Sequence, residues 1–230
     1  MLQALVTGAN RGLGLEMTRQ LLARGDRVVA ACRHPGKALP LTRFAGEYPG
    51  RLHVLPLDLT DARSIAELAR EVGALDLDID LLVNNAGILS EHERFGAVES
   101  KALRDSFAVN AEGAFLLTQA LQADLSDGAK VVNLSSTLGS IARTDSLYSP
   151  SYAISKAALN MATRLLSIAL REHGIIVIAL SPGWVQTDMG GAGAPLKAEA
   201  AIASMLRVID HLTPSDSGRF LAQTGESIPW

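Results

Sequence analysis

Two of the chain's three tyrosines, Tyr148 and Tyr152, fall within five residues of each other in SLYSPSYAISKAALN, which runs from Ser146 to Asn160. A free phenol has a pKa of about 10, so it trades protons near neutral pH only where its surroundings favour the anion. Ser149-Pro150 reads as a helix start, because serine is a favoured cap and proline at the first position needs no N–H partner. That start leaves Tyr148 in the preceding loop and Tyr152 in the first turn. Lys156 is then on the same helix face, with its Cβ about 5–6 Å from that of Tyr152. A cation at that spacing, like a helix N-terminus, favours the phenolate. Only Tyr152 has a lysine at i+4. It is the candidate proton donor, and Tyr148 is a candidate wall of the pocket.

A second stretch suited to chemistry is TGANRGLG at 7–14, with glycines at 8, 12 and 14. Glycines at a strand-to-helix turn let backbone N–H groups approach a pyrophosphate at the helix N-terminus, where the dipole favours anions. The spacing is GxxxGxG, not the GxGxxG of the common dinucleotide fingerprint. The second apolar strand ends in VVAACRHPGK. Where an NAD-preferring loop carries an acid for the ribose 2′-OH, this chain has Cys32, followed by Arg33. A guanidinium attracts a 2′-phosphate that a carboxylate would repel. With Arg11 in the glycine loop as a second cation, the expected cofactor is NADP(H) rather than NAD(H).

These residues need a scaffold, and the apolar pattern supplies one. Val-, Ile- and Leu-rich runs at 2–8, 27–32, 51–58, 79–87, 130–136, 174–183 and 219–223 show little polar alternation, as for strands buried on both faces. Helical spacing fills 12–24, 61–72, 99–125, 150–173 and 195–211. Strands alternating with helices predict an α/β fold, a doubly wound Rossmann-type sheet of about seven mostly parallel strands with helices on both faces. No linker, repeat or low-complexity run divides the 230 residues, so residues 1–230 read as one domain.

Hydrophobic residues at 48% and charged residues at 20% are a globular balance, and aromatics at 4% leave the core to aliphatic side chains. A net charge of −3 offers no basic field for nucleic acid. The single cysteine, Cys32, rules out an intramolecular disulfide and thiolate zinc clusters, and the histidines at 34, 53, 92, 173 and 211 form no HExxH. No metal site is expected. The N-terminal run has no signal-peptide pattern and no stretch approaches a membrane span, so the expectation is a soluble cytoplasmic protein with no membrane partner.

TGANRGLG at 7–14, NNAG at 84–87, NLSS at 133–136, YAISK at 152–156 and SPG at 181–183 together resemble the short-chain dehydrogenase/reductase family, in its single-domain branch. The motifs keep the family's order over essentially the whole chain. SSTLGSI, YAISKAALNM, PGWVQTDMGG and GESIPW resemble the subgroup of C-factor-type and sniffer-type carbonyl reductases. The resemblance implies a catalytic set of Asn110, Ser136, Tyr152 and Lys156. It also implies cofactor contacts at Gly8, Asn10, Arg11, Gly12, Leu13, Gly14, Arg33, Asp58, Leu59, Asn85, Ala86, Gly87, Tyr152, Lys156, Pro182, Gly183, Val185 and Thr187. Ser136 lies 16 residues before Tyr152 where the family pattern has about a dozen, so the connecting loop is longer.

The implied reaction is reduction of a carbonyl by NADPH, with Ser136 binding the oxygen and Tyr152 protonating it. Lys156 would hold ribose hydroxyls and favour tyrosinate, and Asn110 would kink its helix and link Lys156 to solvent. The substrate pocket is expected from the loops at 88–95, 138–147 and 184–195. There, Leu138, Leu147, Tyr148, Trp184 and Met189 point to a small, uncharged, partly apolar ketone or aldehyde, and Gly190 to Gly193 to a short lid. The resemblance further implies a homodimer paired through 99–125 and 150–173, with a tetramer as the alternative. A hydrolase lacks support, since no GxSxG or SxxK occurs. The rival reading is an NADP(H)-binding signalling or regulatory protein with incidental turnover.

Overall fold

The computed structural model describes every residue except Glu91 and His92. The strands are β1 (Gln3–Thr7), β2 (Arg27–Cys32), β3 (Leu52–Pro56), β4 (Ile79–Asn84), β5 (Leu125–Leu134), β6 (Ile176–Ser181), β7 (Val185–Gln186), β8 (Leu196–Lys197) and β9 (Phe220–Ala222). Seven of them make one parallel sheet in the order β3-β2-β1-β4-β5-β6-β9, and β7 with β8 form a separate short pair. The helices are α1 (Gly12–Ala23), α2 (Leu39–Glu47), α3 (Ala62–Ala74), α4 (Ser100–Phe107), α5 (Gly113–Ala120), α6 (Pro150–Ala169) and α7 (Ala198–Asp210).

The apolar runs are buried on both sides because successive strand residues point to opposite faces. Ala4 and Val6 of β1 join one core, with Met17, Leu21 and Leu22 of α1 and Ile202, Met205 and Ile209 of α7. Leu5 points the other way, into a core with Ile65, Leu68 and Val72 of α3, Leu117 of α5 and Leu166 of α6. Burying each of the Val, Leu, Ile and Met side chains contributes about 1.5–3 kcal/mol, so the two layers hold the sheet between them. β1 has β2 on one side and β4 on the other, so the winding reverses there. A crevice opens at such a reversal, beyond the C-terminal strand ends.

Four local features differ from the sequence expectation. α2 forms within KALPLTRFAGEYPG, where Pro40 stands in the first turn and only Leu41 is buried, so the apolar stripe is too thin to announce a helix. The helix expected over 99–125 is interrupted by a π turn at Ala108–Glu112. β5 begins at Leu125, with a register irregularity opposite Ile79 and Leu81. Pro150 does open α6, but Ser149 before it is left-handed (φ 43°) and its side chain caps nothing. Glu93 takes that role from across the fold: its Oε2 accepts from the Ser151 backbone N–H at 3.1 Å and from Ser151 Oγ at 2.9 Å. No helix among the described residues is long and apolar enough to cross a membrane.

Candidate active site

A cavity of about 850 Å³ lies over the C-terminal ends of β1, β2, β4, β5 and β6. It gathers all of the sequence-predicted site residues except Gly14, Asn110 and Leu147. Gly14 sits beneath the glycine loop, where an added Cβ would lie 2.4 Å from the Gly8 carbonyl oxygen and 2.5 Å from Asn85 Nδ2. Leu147 is corrected as a pocket residue. It is 57% exposed and does not line the cavity. Of the expected pocket loop 88–95, Ile88 and Leu89 line the wall, and positions 91 and 92 lie outside the described residues.

Thr7 binds the glycine loop to the NNAG segment. Its Oγ accepts from the backbone N–H groups of Asn85 and Ala86, each at 3.0 Å, while Asn85 Nδ2 donates to the Thr7 carbonyl at 2.7 Å. α1 begins at this crevice with no side-chain cap and no acid in its first turn. Its free N–H groups and dipole therefore face the cavity, an arrangement that accepts a phosphate.

At the end of β2, Cys32 is buried and no carboxylate occupies its position. Arg33, His34 and Lys37 line the cavity beside it. The sequence reading missed His34 and Lys37, although the run RHPGK showed a cluster of basic residues. Asp58, across from them, is held below the usual carboxylate range. Bonds from the Thr60 hydroxyl and backbone N–H are the main cause, partly offset by burial, and the charges of Arg33 and His34 add to the lowering. Arg11 lines the cavity too, but its guanidinium pairs with Asp188 at 2.9 Å, so it is not the free second cation expected. Such an exposed pair contributes only about 0–1 kcal/mol, weak enough for a phosphate to displace the carboxylate.

At the other end of the cavity stand Ser136, Tyr152 and Lys156. Ser136 follows β5, and Tyr152 and Lys156 lie on successive turns of α6. Lys156 is buried, donates from Nζ to the Leu134 carbonyl at 2.6 Å, and sits 5.5 Å from the centre of the Tyr152 ring. Burial pulls its ammonium down to about 8. Burial also pushes Tyr152 up to about 12, against a hydrogen bond with Ser136 that works the other way. This corrects the expectation that Lys156 and the helix terminus depress the phenol. Desolvation is the larger effect, and Glu93 places a carboxylate at the helix end that was expected to help.

Asn110 is buried in the π turn. Its Oδ1 accepts from Ile88 N at 2.8 Å, and its Nδ2 donates to the Ile88 carbonyl and to Ser155 Oγ, each at 2.9 Å. It is close to the lysine: a Cβ built on Gly87 would be 3.2 Å from Asn110 Oδ1 and 3.7 Å from Lys156 Nζ. The wider π turn is what carries Asn110 inward, as such turns often do at functional sites. Ile88, Leu89, Val109, Leu138, Tyr148, Trp184 and Met189 add a mostly apolar surface to the lining, next to Thr137 and Asp188.

The arrangement can bind a phosphate-bearing dinucleotide along the strand ends and present two hydroxyls to a small polar atom at its far end. Residues 3–195 match the family model of the short chain dehydrogenases. The chain belongs to the short-chain dehydrogenase family. It is thereby an oxidoreductase of the dehydrogenase/reductase class. Among curated relatives of this family, the chain is 42% identical over 154 residues to C-signal of Myxococcus xanthus, covering 66% of this chain and 93% of that protein. It is 32% identical over the full length of both chains to 1-hydroxy-2-glutathionyl-2-methyl-3-butene dehydrogenase of Rhodococcus sp. (strain AD45). Among solved structures, carbonyl reductase Sniffer of D. melanogaster superimposes with a TM-score of 0.96 at 31% identity, covering all of both chains. The NADPH-bound carbonyl reductase from chicken fatty liver gives 0.92 at 38% identity, covering 99% of this chain and 98% of that one.

Proposed function

We propose that this short-chain dehydrogenase is an NADPH-dependent carbonyl reductase acting on small, uncharged, partly apolar ketones or aldehydes, and on the corresponding alcohols in reverse. The observation that carries the reading is that Ser136, Tyr152 and buried Lys156 line one cavity together with the apolar side chains of Ile88, Leu138, Trp184 and Met189. The cofactor assignment rests on Arg33, His34 and Lys37 around a strand end without a carboxylate, on the uncapped start of α1, and on the NADPH held by the chicken relative.

When bound, NADPH supplies a hydride to the carbonyl carbon. The chain's residues bind the oxygen and move the proton. Ser136 donates a hydrogen bond to the carbonyl oxygen, where negative charge develops. Tyr152, whose raised pKa keeps it protonated at neutral pH, transfers its proton to that oxygen and completes the alcohol. Lys156 binds the ribose hydroxyls of the cofactor and stabilises the tyrosinate left behind. Asn110 holds the Ile88 backbone so that water reaches Lys156 and returns the proton. The apolar walls from Ile88, Leu138, Tyr148, Trp184 and Met189, with no Arg or Lys among them, favour an uncharged substrate.

We also propose that the 230 residues form one catalytic unit that pairs as a homodimer in the cytoplasm. Ile154, Met161, Leu165 and Ile168 form an exposed apolar stripe along α6, with Phe107 exposed on α4. Sedimentation or light scattering reads the stoichiometry. A second reading, an NADP(H)-binding signalling protein with incidental turnover, draws on the similarity to C-signal. NADPH oxidation against a panel of aliphatic and aromatic carbonyls separates the two: turnover of any apolar member supports the reductase, and tight NADPH binding without turnover supports the signalling protein.

A further inference from the structure

Ser136 opens a tight turn over Thr137–Gly139, with its Oγ accepting from Leu138 N at 3.2 Å. One side of that turn is pinned to α6. Asn160 Nδ2 donates to the Gly139 carbonyl at 3.0 Å, while Asn160 Oδ1 accepts from Ser135 Oγ at 2.7 Å. Gly139 lies so close to the helix that a Cβ there would come within 2.8 Å of the Lys156 backbone.

The other side is held from the far edge of the sheet. The chain after β9 doubles back along it, with Ala222 N donating to the Glu226 carbonyl and Ile228 N to the Phe220 carbonyl, each at 2.8 Å. The Trp230 ring then stacks on Phe220 with centroids 5.7 Å apart. This brings two main-chain oxygens to the residues that follow the turn. Ser140 Oγ, on a fully buried residue, donates to the Pro229 carbonyl at 2.6 Å, and Ala142 N donates to the Trp230 main-chain oxygen at 2.9 Å. Neither Ser140 nor Trp230 lines the cavity.

We infer that Ser140 and Trp230 are positioning residues for the Ser136 hydroxyl. A hydroxyl buried as deeply as that of Ser140 must keep its acceptor, so the exit of the turn follows Pro229. Pro229 in turn is placed by the Trp230 ring on Phe220. With its entrance fixed by β5 and one flank by Asn160, the turn has its remaining freedom removed by this strap. Ser136 is thereby held against Tyr152 although the loop between them is long. The role rests on the reductase reading above, and it is distinct from packing alone, because loosening the strap displaces a reacting hydroxyl without touching the nucleotide end.

The test compares Ser140→Ala and Trp230→Ala, singly and together, with Trp230→Phe as the variant that keeps a ring on Phe220. The readouts are kcat and KM on the best carbonyl of the panel, the NADPH Kd by fluorescence titration, and the thermal midpoint. Misplacing a reacting group by 1 Å costs up to about 100-fold, so each alanine variant is expected to lose about 10-fold or more in kcat. The double variant should lose no more than the worse single, since both act through one support. NADPH Kd should stay within about twofold and Trp230→Phe near wild type. A kcat kept within about twofold while the midpoint falls, losses that multiply, or a matching loss of NADPH affinity overturns the inference. Should Trp230→Ala fail to fold, an undiminished kcat in Ser140→Ala overturns it alone. A wild type that reduces no carbonyl fails the reductase reading and this one with it, whereas an active wild type with unimpaired variants fails only this one.

Discussion

Replacing Lys156 by methionine should make the protein more stable at neutral pH and less stable at high pH. The ammonium is buried, and its pKa falls from 10.5 to about 8. Holding it charged inside the fold therefore costs about 3 kcal/mol at pH 7. Methionine removes that cost, but it also removes the bond to the Leu134 carbonyl, worth about 1 kcal/mol. The net expectation is a gain of about 2 kcal/mol at pH 7. Between about pH 8 and 10.5 the unfolded chain keeps a proton on this lysine that the folded chain has shed, so wild-type stability rises with pH across that window. The advantage of the variant should shrink there and reverse to a deficit of about 1 kcal/mol above it. Urea unfolding of both proteins from pH 6.5 to 10.5, without added nucleotide, measures the difference. A gap that does not change with pH, or a methionine variant less stable at pH 7, would refute the burial argument.

The same titration should limit activity, so kcat/KM for NADPH in carbonyl reduction is expected to fall above about pH 8, where Lys156 loses its charge, whereas Tyr152 stays protonated to about 12. A decline that starts only near the range of a free phenol would assign the limb to Tyr152 instead. Gly14→Ala puts a Cβ 2.4 Å from the Gly8 carbonyl and should cost about 1–3 kcal/mol and weaken NADPH together. Thermal unfolding and fluorescence titration read the two effects, and an unchanged midpoint would mean that the loop yields freely. Arg33→Asp should move the NADPH-to-NADH ratio of catalytic efficiencies toward NADH by about 10- to 100-fold. An unmoved ratio would leave the 2′-phosphate to His34 and Lys37.

The doubly wound sheet was legible because its strands are unbroken aliphatic runs, and burial on both faces leaves no other use for such runs. The cofactor crevice followed from glycine spacing at the end of β1 and from the missing acid at Cys32. Less legible were features set by partners distant in sequence. Ser149-Pro150 marked the start of α6, but nothing nearby showed that Glu93 would supply the cap. Arg11 read as a free cation because Asp188, 177 residues on, could not be placed beside it. The i, i+4 geometry of Tyr152 and Lys156 was right, yet the direction of the phenol's pKa was not, since spacing along a helix carries no measure of desolvation. Leu147 looked like a pocket wall by its neighbours, and the turn of the long loop leaves it exposed.

In the proposed reduction Tyr152, and not Tyr148, delivers the proton. Turnover and NADPH affinity measured in parallel for Tyr152→Phe and Tyr148→Phe distinguish the two. Tyr152→Phe should bind NADPH within about twofold of wild type while losing at least about 100-fold in kcat, the contribution of a general acid. Tyr148 is 60% exposed at the cavity wall, and Tyr148→Phe should change kcat only modestly. An active Tyr152→Phe beside an inactive Tyr148→Phe would move the proton transfer to the loop.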